Sequence, residues 1–496
     1  MKKKKVLLIS GGLLTLILII ISIVLITNNK DEKIYATNKR KENLNDFLTL
    51  MLEQSDGTYQ ESTSNTWPGD GYIFNKELSS CQNGGELDYD SENNKVILYS
   101  NKSDGCYVYF DIYNKPIINS INLGEVTNNS ITITVSATNG TNPISNYYYI
   151  INNETPVSTT SNTYTFSGLS AGQIYTIKVY AVDTEGFSSD TSSLSVETES
   201  IVYLADYIKN TVYQGDGVNG LYYHDGQGSY TNSDQEAGDN SYRYAGANPN
   251  NYVCFGSTAS VCPLDNLYRI IGVFDEKAKL IKADYANSYL FGTNGGYSGY
   301  MFNSNSFSNY SGYLSEIYSY YWNSNTINNV WIESNLNTIN LNMNYLNNIG
   351  STWSNLIETH EWKVGGGNST YLYNGTMQVA YNYEVGSNSS STTYNAKIGL
   401  MYVSDYGYAT SSNNWTQRLN YSLYNNWLYM GVKEWTISRN SVNESYVFII
   451  NTDRRIAYTG SGSTDLSFRP TFYLNPDVEY ASGSGTESDP IRLKID

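Results

Sequence analysis

The sequence is poor in charged residues and in histidine. Asp, Glu, Lys and Arg make up only 16% of its 496 residues, against roughly 25% in a typical soluble domain. Basic residues total 30 against 47 acidic ones, which leaves a formal charge of −17. A nucleic-acid-binding protein needs clustered Lys and Arg to displace phosphate counterions, and only the extreme N-terminus is basic. Nucleic acid is therefore excluded as a partner.

The scarcity of histidine limits metal and nucleophilic chemistry. His224 and His360 are the two histidines, so a zinc or Ser-His site would have to gather its other members from distant loops. His360, beside Trp362, is expected to be a packing residue. Four aspartates in Gly-rich loops lack the spacing of a calcium loop and are expected to be solvated turn residues. They are Asp216, Asp225, Asp234 and Asp239. No metal and no cofactor is predicted.

No pair of carboxylates stands out as catalytic. A glycosidase needs two carboxylates that face each other across a cleft. The spacing singles out no pair among the available acids, so the sequence names no catalytic residue. The acids considered are Asp405, Glu434, Glu444, Asp453 and Asp465.

What the sequence has in abundance is tyrosine, with 49 residues against 13 Phe and 8 Trp. Asn, Ser, Thr and Gly fill many of the remaining positions. This mixture is typical of binding surfaces, where Tyr offers rigid amphipathic contact area and small polar residues adapt. The alternative is the codon bias of an AT-rich genome, which explains only part of the pattern because Lys is not enriched. Both interpretations remain open.

The N-terminus predicts a membrane anchor. A basic tail, residues 1–5, precedes an uncharged apolar run over residues 6–27. As a helix this run spans roughly 33 Å, enough to cross the hydrocarbon core. It is longer than the apolar region of a cleaved signal peptide, and no A-x-A site follows it. The sequence therefore predicts an uncleaved, single-pass signal anchor in the cell membrane. Basic residues lie on both sides of the run, so charge alone does not set its orientation. The paired cysteines and the modules described below predict a cytoplasmic N-terminus, with the bulk of the chain outside.

Residues 28–60 predict a helical stalk. Asn43 is placed to cap a turn, and the following apolar residues share one face at helical spacing. They are Leu44, Phe47, Leu48, Met51 and Leu52.

Four cysteines fall into two separated pairs, Cys81 with Cys106 and Cys254 with Cys262. An even count suggests two disulfides in an oxidising compartment. If they stay reduced, they are small buried apolar residues. The first pair lies in residues 66–113, where short alternating segments separated by turns predict a small β module. Because so small a module has little core, a disulfide there would stabilise it.

Residues 116–199 resemble the fibronectin type III family. The segment from Leu169 to Ser188 carries the signature positions Leu169, Gly172, Tyr175, Ile177, Val179, Ala181, Val182 and Gly186. The resemblance implies a sandwich of two antiparallel sheets that serves as a spacer. It also implies that the hydroxyl of Tyr175 ties its strand to the upstream turn. The family's usual early Trp is absent, so Ile or Tyr must fill the space between the sheets.

Residues 200–496 predict one large α+β domain. Helical spacing of apolar residues predicts helices over 201–212 and 331–349, with strands towards the C-terminus. The apolar face of the second helix comprises Leu336, Ile339, Met343, Leu346 and Ile349. The stretches YRIIGVFDEKAKLIKAD, SNLNTINLNMNYLN, IGLMYVSDYGYAT, EWTISR and FRPTFYL resemble a domain of unassigned function in surface proteins of Gram-positive gut bacteria. More distantly, the region is similar to the C-type-lectin-like fold of formylglycine-generating enzymes. Trp435 and Arg469 match family positions that look structural. No cysteine follows Cys262, so the enzyme's activity does not transfer.

Aromatic residues crowd the segment 402–435, among Asn, Ser and Gly. Aromatic faces stack on sugar rings and also anchor protein interfaces. We expect Tyr406, Tyr408 and Trp415 to form an exposed ligand-binding face. The EPN, QPD and WND tripeptides of calcium-dependent lectins are absent, which disfavours a calcium-bridged sugar site.

The chain as a whole is therefore expected to be multidomain and mainly β. Its predicted function is that of a bacterial cell-surface binding or adhesion protein, whose C-terminal domain binds a glycan or protein ligand at the end of a fibronectin-like spacer. The first alternative is a surface enzyme acting on glycans or cell wall. The second is a structural component of the envelope.

Overall fold

The chain divides into two compact units, residues 1–200 and 201–496. The computed structural model describes residues 34–35, 47–62, 71–90, 95–100, 104–212, 220–226, 235–285, 287–303, 308–326, 328–386, 388–464 and 466–495. The predicted anchor over residues 6–27 lies outside these ranges. Among the residues described, no helix has the length and apolar character needed to span a bilayer.

The first unit begins with a small β module of two sheets. One sheet has the strand order Tyr59–Glu61, Phe47–Glu53, Gly105–Ile112 and Tyr72–Cys81. The other has the order Ile34–Tyr35, Lys95–Tyr99 and Glu86–Asp90. A buried cluster that includes Leu50, Val96 and Val108 forms the core. The Cys81–Cys106 disulfide joins directly opposed residues of two neighbouring strands, which confirms the predicted pair.

The predicted helical stalk is wrong where the structure describes it. Phe47–Glu53 is a β-strand that pairs in parallel with Gly105–Ile112 and antiparallel with Tyr59–Glu61. Its residue Leu50 is buried in the module. An isolated helix of so few turns is marginal in water, whereas a strand here gains a ladder of hydrogen bonds and a buried face. The β module therefore begins well before residue 66.

Residues 117–197 of the first unit form a sandwich of two antiparallel sheets. One sheet has the order Val157–Thr159, Ile144–Ile151, Ile174–Asp183 and Ser192–Glu197. The other has the order Thr163–Ser167, Ser130–Thr138 and Ile117–Val126. Ile177, Val179 and Ala181 are each fully buried, at the period of two expected for one face of a strand.

Two further predictions for this sandwich are confirmed. The Tyr175 hydroxyl accepts a hydrogen bond from the Ser170 backbone N–H at 2.9 Å, the tie expected of a tyrosine corner. Tyr149 fills the space between the sheets in the absence of a Trp. Its ring is fully buried and stacks on Tyr164, with 5.0 Å between the ring centroids.

The second unit, which we call the C-terminal unit, is built on a seven-stranded sheet. Its strand order is Gly220–His224, Ser241–Ala245, Leu267–Phe274, Lys277–Lys282, Thr471–Tyr473 and Ile398–Gly399, and Tyr252–Cys254 also pairs with Leu267–Phe274. Smaller sheets surround it: Tyr297–Asn303 with Glu316–Tyr320, His360–Val364 with Thr392–Ala396, Glu434–Arg439 with Tyr446–Ile450 and Ile456–Gly460, and Tyr480–Ser482 with Arg492–Leu493.

Short helices pack around these sheets. The α-helices are Leu204–Tyr207, Ser288–Phe291, Leu346–Ile349, Ser351–Ser354, Ser369–Leu372, Met377–Glu384 and Val403–Tyr408. Wider π-helical turns occupy Ile208–Val212 and Leu336–Tyr345, and 3₁₀ turns occupy Leu264–Asn266, Trp331–Glu333 and Ser412–Asn414. Both predicted helical regions are thus helical.

The buried face of the second helical region differs from the prediction. Leu336, Leu341 and Tyr345 are fully buried, whereas Met343, which was expected on the buried face, is 43% exposed. The π-helical winding brings residues five apart onto one side, so the face expected from α-helical spacing is displaced.

Trp435 and Arg469 are structural, as expected. Trp435 is fully buried and its Nε1–H donates to the Tyr320 carbonyl at 2.8 Å. Arg469 is 1% exposed and binds both carboxylate oxygens of Glu434, at 2.8 and 3.0 Å. The Cys254–Cys262 disulfide closes the short loop before the central strand and confirms the second predicted pair.

Candidate functional site

The predicted aromatic face is wrong. Tyr406, Tyr408 and Trp415 are 0, 1 and 3% exposed. The helix Val403–Tyr408 is buried along its whole length, and its tyrosines satisfy their hydroxyls inside the fold. Tyr406 O–H donates to the Arg454 carbonyl and Tyr408 O–H to the Gln235 carbonyl, both at 2.9 Å. The three rings therefore serve the core and present no surface to a ligand.

The two histidines also pack inside the C-terminal unit. His224 is fully buried, with ring centroids 4.8 Å from Tyr408 and 4.9 Å from Trp415. His360 stacks on Tyr473 at 3.9 Å, in the packing role expected for it. Burial, together with nearby lysines, lowers the pKa of His360 to about 3. Both side chains are therefore neutral packing elements at physiological pH.

A cavity of about 330 Å³, which we call the Arg269 cavity, opens on the C-terminal unit. Its floor consists of buried side chains: Leu267, Arg269, Trp427, Tyr429 and Met430. Its rim consists of exposed or half-buried residues: Asn248, Tyr252, Asn309, Tyr313, Asn425 and Arg454. The floor is thus rich in aromatic rings and the rim in amides.

Arg269 comes from a strand that is buried along almost its whole length. The strand Leu267–Phe274 is buried at every position but the last, because other structure covers both of its faces. Arg269 itself is 7% exposed. The guanidinium lies between two aromatic rings, 4.4 Å from the centroid of Tyr252 and 4.6 Å from that of Trp427. Such stacking stabilises a desolvated cation.

The hydrogen bonds of Arg269 use only part of its guanidinium. Nε donates to Asn251 Oδ1 at 2.8 Å, and Nη2 donates to the Pro249 carbonyl at 3.1 Å and to Asn248 Oδ1 at 3.3 Å. Nη1 donates to no atom of the described residues, and it is not enclosed by them but keeps access to solvent. The Nη1 edge therefore faces the cavity.

Arg269 also has no carboxylate partner among the described residues. Glu487, exposed on the rim, acts on it electrostatically without forming an ion pair. Burial, together with the nearby charge of Arg469, lowers the pKa of Arg269 to about 10. The side chain nevertheless keeps its charge at neutral pH.

Arg454 brings a second cation to the rim. It occupies the turn between the strands Tyr446–Ile450 and Ile456–Gly460 with a φ of 70°. Its guanidinium lies 4.4 Å from the ring centroid of Tyr429 and 5.5 Å from that of the exposed Tyr424. Within the described ranges Arg454, like Arg269, forms no ion pair, whereas its neighbour Arg455 pairs with Asp453 at 2.6 Å.

A second cavity, of about 290 Å³, surrounds a buried chain of ion pairs. Lys279 Nζ donates to Asp405 Oδ2 at 2.6 Å. Arg243 Nη2 donates to Asp239 Oδ2 at 2.6 Å, and its Nη1 lies 3.8 Å from Asp405 Oδ1. Burial opposes ionisation of Asp239, but the charge of Arg243 outweighs it and lowers the pKa of this carboxyl.

The ion pairs of this second cavity belong to the fold. Both buried cations have carboxylate partners, and the carboxylates are held by those partners. A general acid needs a raised pKa, which Asp239 does not have. Asp239 is also not the solvated turn residue that its loop predicted, since it is half-buried and paired with Arg243.

A larger hollow of about 710 Å³ lies beside the Cys254–Cys262 loop. Small side chains such as Ser257, Ala259 and Ser260 line much of it. Trp353 supplies its aromatic ring, and that side chain is itself buried at 8% exposure. This hollow thus lacks the aromatic floor of the Arg269 cavity.

One group in the described part of the chain has metal-ligand proximity, namely Cys81, Asp104 and Cys106. Its two sulfurs are joined in a disulfide and so offer no thiolates. The Asp104 carboxylate accepts backbone N–H groups of Asn83 and Gly85. This group is a turn-closing network and not a metal site.

Comparisons with known proteins bear on the first unit. Residues 118–198 match the family model of the fibronectin type III domain. A solution structure of a fourth fibronectin type III domain from human is 25% identical, covering 18% of this chain and 83% of that one, with a TM-score of 0.17. Domains d3-d4 of the rat CD45 extracellular region are 14% identical over 20% of this chain and 56% of that one, with a TM-score of 0.17.

The PKD1 domain of the Vibrio cholerae metalloprotease PrtV is 16% identical, covering 17% of this chain and 98% of that one, with a TM-score of 0.15. Comparison with curated proteins gave no match. The match to the family model shows that residues 118–198 form a fibronectin type III domain, within a mainly β, multidomain chain that contains disulfides.

Proposed function

We propose that the chain is a cell-surface binding protein of a Gram-positive bacterium, and that its C-terminal unit binds a glycan or protein ligand in the Arg269 cavity. Residues 6–27 hold it in the cell membrane with the N-terminus inside and both units outside. The fibronectin type III domain is a spacer. The C-terminal unit takes the mixed α+β, C-type-lectin-like arrangement with a loop-built binding face.

The composition of the Arg269 cavity is the observation that carries this proposal. Ligand cavities of a few hundred Å³ are mostly apolar or aromatic, with a few polar groups that fix orientation. Here Trp427 and Tyr429 line the buried floor, and the half-buried rings of Tyr252 and Tyr313 supply aromatic surface on the rim. Asn309 and Asn425 supply amide donors and acceptors for hydroxyl or peptide groups. The rim comes from several separate loops, as a variable binding face requires.

Two other observations support an extracellular location. Disulfides persist in oxidising compartments and are rare in the cytosol, and both cysteine pairs of this chain are bonded. Fibronectin type III domains share their architecture with many cell-surface domains. Protease added to intact cells is expected to remove both units; a chain protected until lysis would overturn the proposed topology.

The binding role is tested by blocking the cavity mouth. Ala247 is exposed on the rim, so Ala247→Trp fills the opening without disturbing the core. The full-length protein in detergent micelles is applied to glycan and mucin arrays, with Ala481→Trp as the matched control. Ala481 is also exposed but lines the hollow beside the Cys254–Cys262 loop.

Binding that Ala247→Trp abolishes and Ala481→Trp retains is the expected result. Loss of binding with Ala481→Trp alone would move the site to the other hollow. An unmodified chain that retains no glycan or protein ligand at all would refute the binding function.

A further inference from the structure

Three arginines are nine-tenths or more buried in the C-terminal unit, and they are partnered differently. Arg243 binds Asp239 and Arg469 binds Glu434, each through charge-assisted hydrogen bonds. Arg269, which is 7% exposed, has no such carboxylate among the described residues. A buried charge is costly unless it is paired, so a fold that pairs two arginines and leaves the third open needs a reason.

The position of Arg269 supplies that reason. Of the three, it is the one whose free guanidinium edge, Nη1, borders the Arg269 cavity. Asn251 and Pro249 accept hydrogen bonds from Nε and Nη2, and the rings of Tyr252 and Trp427 pack against the guanidinium plane. The guanidinium is therefore fixed in orientation before any ligand arrives, which reduces the entropy lost on binding.

We propose that the Arg269 cavity selects saccharides that carry an anionic group, a carboxylate or a sulfate, and that Arg269 Nη1 and Arg454 bind this group. The inference rests on the proposed binding function and names the ligand class of the same site. Planar guanidinium groups match carboxylate and sulfate oxygens, and the charge assists each hydrogen bond.

A saccharide fits this cavity better than an acidic peptide. The volume of about 330 Å³ suits a single compact unit. The amides of Asn309 and Asn425 and the hydroxyl of Ser311 on the rim match ring hydroxyls. The half-buried ring of Tyr313 on the rim is suited to the apolar face of a sugar ring.

The test uses full-length protein in detergent micelles and matched probes that differ only in the acid. The probes are glucuronic acid against glucose, 3′-sialyllactose against lactose, and a sulfated against an unsulfated galactose. Inorganic sulfate and an Asp-rich peptide complete the set. Affinity is measured by calorimetry at low and at physiological salt.

At least one acidic saccharide is expected to bind about tenfold or more tightly than its neutral twin. Arg269→Met, which keeps the length of the side chain and removes the charge, is expected to weaken that binding by about 10- to 100-fold and to leave neutral probes unchanged. Arg454→Ala is expected to weaken it less. Arg455→Ala is the matched control on the same turn and should change nothing, because Arg455 is paired with Asp453.

The outcomes separate this inference from the proposed function. If neutral and acidic twins bind equally and Ala247→Trp abolishes both, the binding function stands and the anion selectivity is refuted. Tighter binding of the Asp-rich peptide, or of sulfate alone, than of every acidic saccharide refutes the saccharide class. If Arg269→Met does not fold, unchanged acid selectivity in Arg454→Ala refutes the inference. If no probe and no array ligand binds, the proposed binding function is refuted, and with it the anion selectivity that rests on it.

Discussion

Replacing Glu384 by glutamine is expected to abolish a pH dependence in the stability of the C-terminal unit. Glu384 is 3% exposed, at the end of the helix Met377–Glu384. Its carboxylate accepts the backbone N–H groups of Val403 and Ser404 at 3.0 and 2.9 Å, and the hydroxyl of Ser438. Burial outweighs these hydrogen bonds and raises the pKa of Glu384 from 4.5 to about 7.

The sign and size of the effect follow from this shift. Between pH 4.5 and 7 the folded unit keeps the Glu384 proton while the unfolded chain loses it, so stability falls as the pH rises through this window. The contribution is fully present below pH 4.5 and is lost above about pH 7. A shift of about 2.5 units corresponds to roughly 3 kcal/mol.

Urea unfolding followed by Trp fluorescence measures this directly. Seven of the eight tryptophans lie in residues 201–496, so the signal reports the C-terminal unit. The difference in unfolding free energy between the unmodified chain and Glu384→Gln should change by roughly 3 kcal/mol from pH 4.5 to 8. Glu444→Gln, at an exposed site, is the control and should give a flat difference. A flat difference for Glu384→Gln as well would refute the reasoning.

Three further variants test the fold. Trp415→Ala empties a fully enclosed site and should cost about 3–5 kcal/mol of unfolding free energy; a thermal transition like that of the unmodified chain would contradict its burial. Tyr175→Phe removes the acceptor of the Ser170 N–H and should lower the unfolding free energy of the first unit by about 1 kcal/mol in chemical denaturation; an unchanged midpoint would contradict a stabilising role for this hydrogen bond. Cys81→Ser with Cys106→Ala opens a loop with a separation of 25 residues and should lower stability by about 3 kcal/mol in non-reducing urea titrations; equal midpoints would argue against the bond.

Local sequence patterns were sufficient to predict the fold of the fibronectin type III domain. Alternation at Ile177, Val179 and Ala181 fixes which face of the strand is buried, and Tyr175 sits next to the turn that it ties down. The contacts that decide these elements are close in sequence or repeat with a simple period. Prediction from such patterns therefore agreed with the structure.

Prediction from local patterns was wrong where long-range strand pairing or altered helix winding decides the structure. Residues 47–53 have apolar spacing compatible with a helix, but they pair in parallel with residues 105–112, more than 50 positions away. In the region 331–349 the π-helical winding moved Met343 to the surface and Leu341 to the core. Neither the distant partner strand nor the altered winding leaves a periodic signal in the local sequence.

For the candidate site, the sequence correctly indicated the aromatic segment 402–435, but it did not identify which of its residues line the Arg269 cavity. The aromatic stretch 402–435 does contribute Trp427 and Tyr429 to the cavity, while Tyr406 and Tyr408 turn inward. Aromatic density alone does not tell which rings face water, because a buried Tyr satisfies its hydroxyl on a backbone carbonyl as readily as an exposed one does on solvent. The polar neighbours that suggested exposure are instead buried hydrogen-bonding partners, such as Asn426 to the Tyr406 carbonyl at 2.7 Å.

Arg269 was the residue that could have been found. It stands in the run LYRIIGVF, which is otherwise free of charge and reads as a strand buried on both faces. A cation at such a position must meet an anion, an aromatic cage or a ligand. The Tyr252 and Trp427 rings provide the cage, and they leave one edge of the guanidinium towards the cavity. The same substitution in a paired arginine would leave a buried carboxylate uncompensated, whereas Arg269→Met leaves none, so its effect on ligand binding can be read apart from its effect on folding.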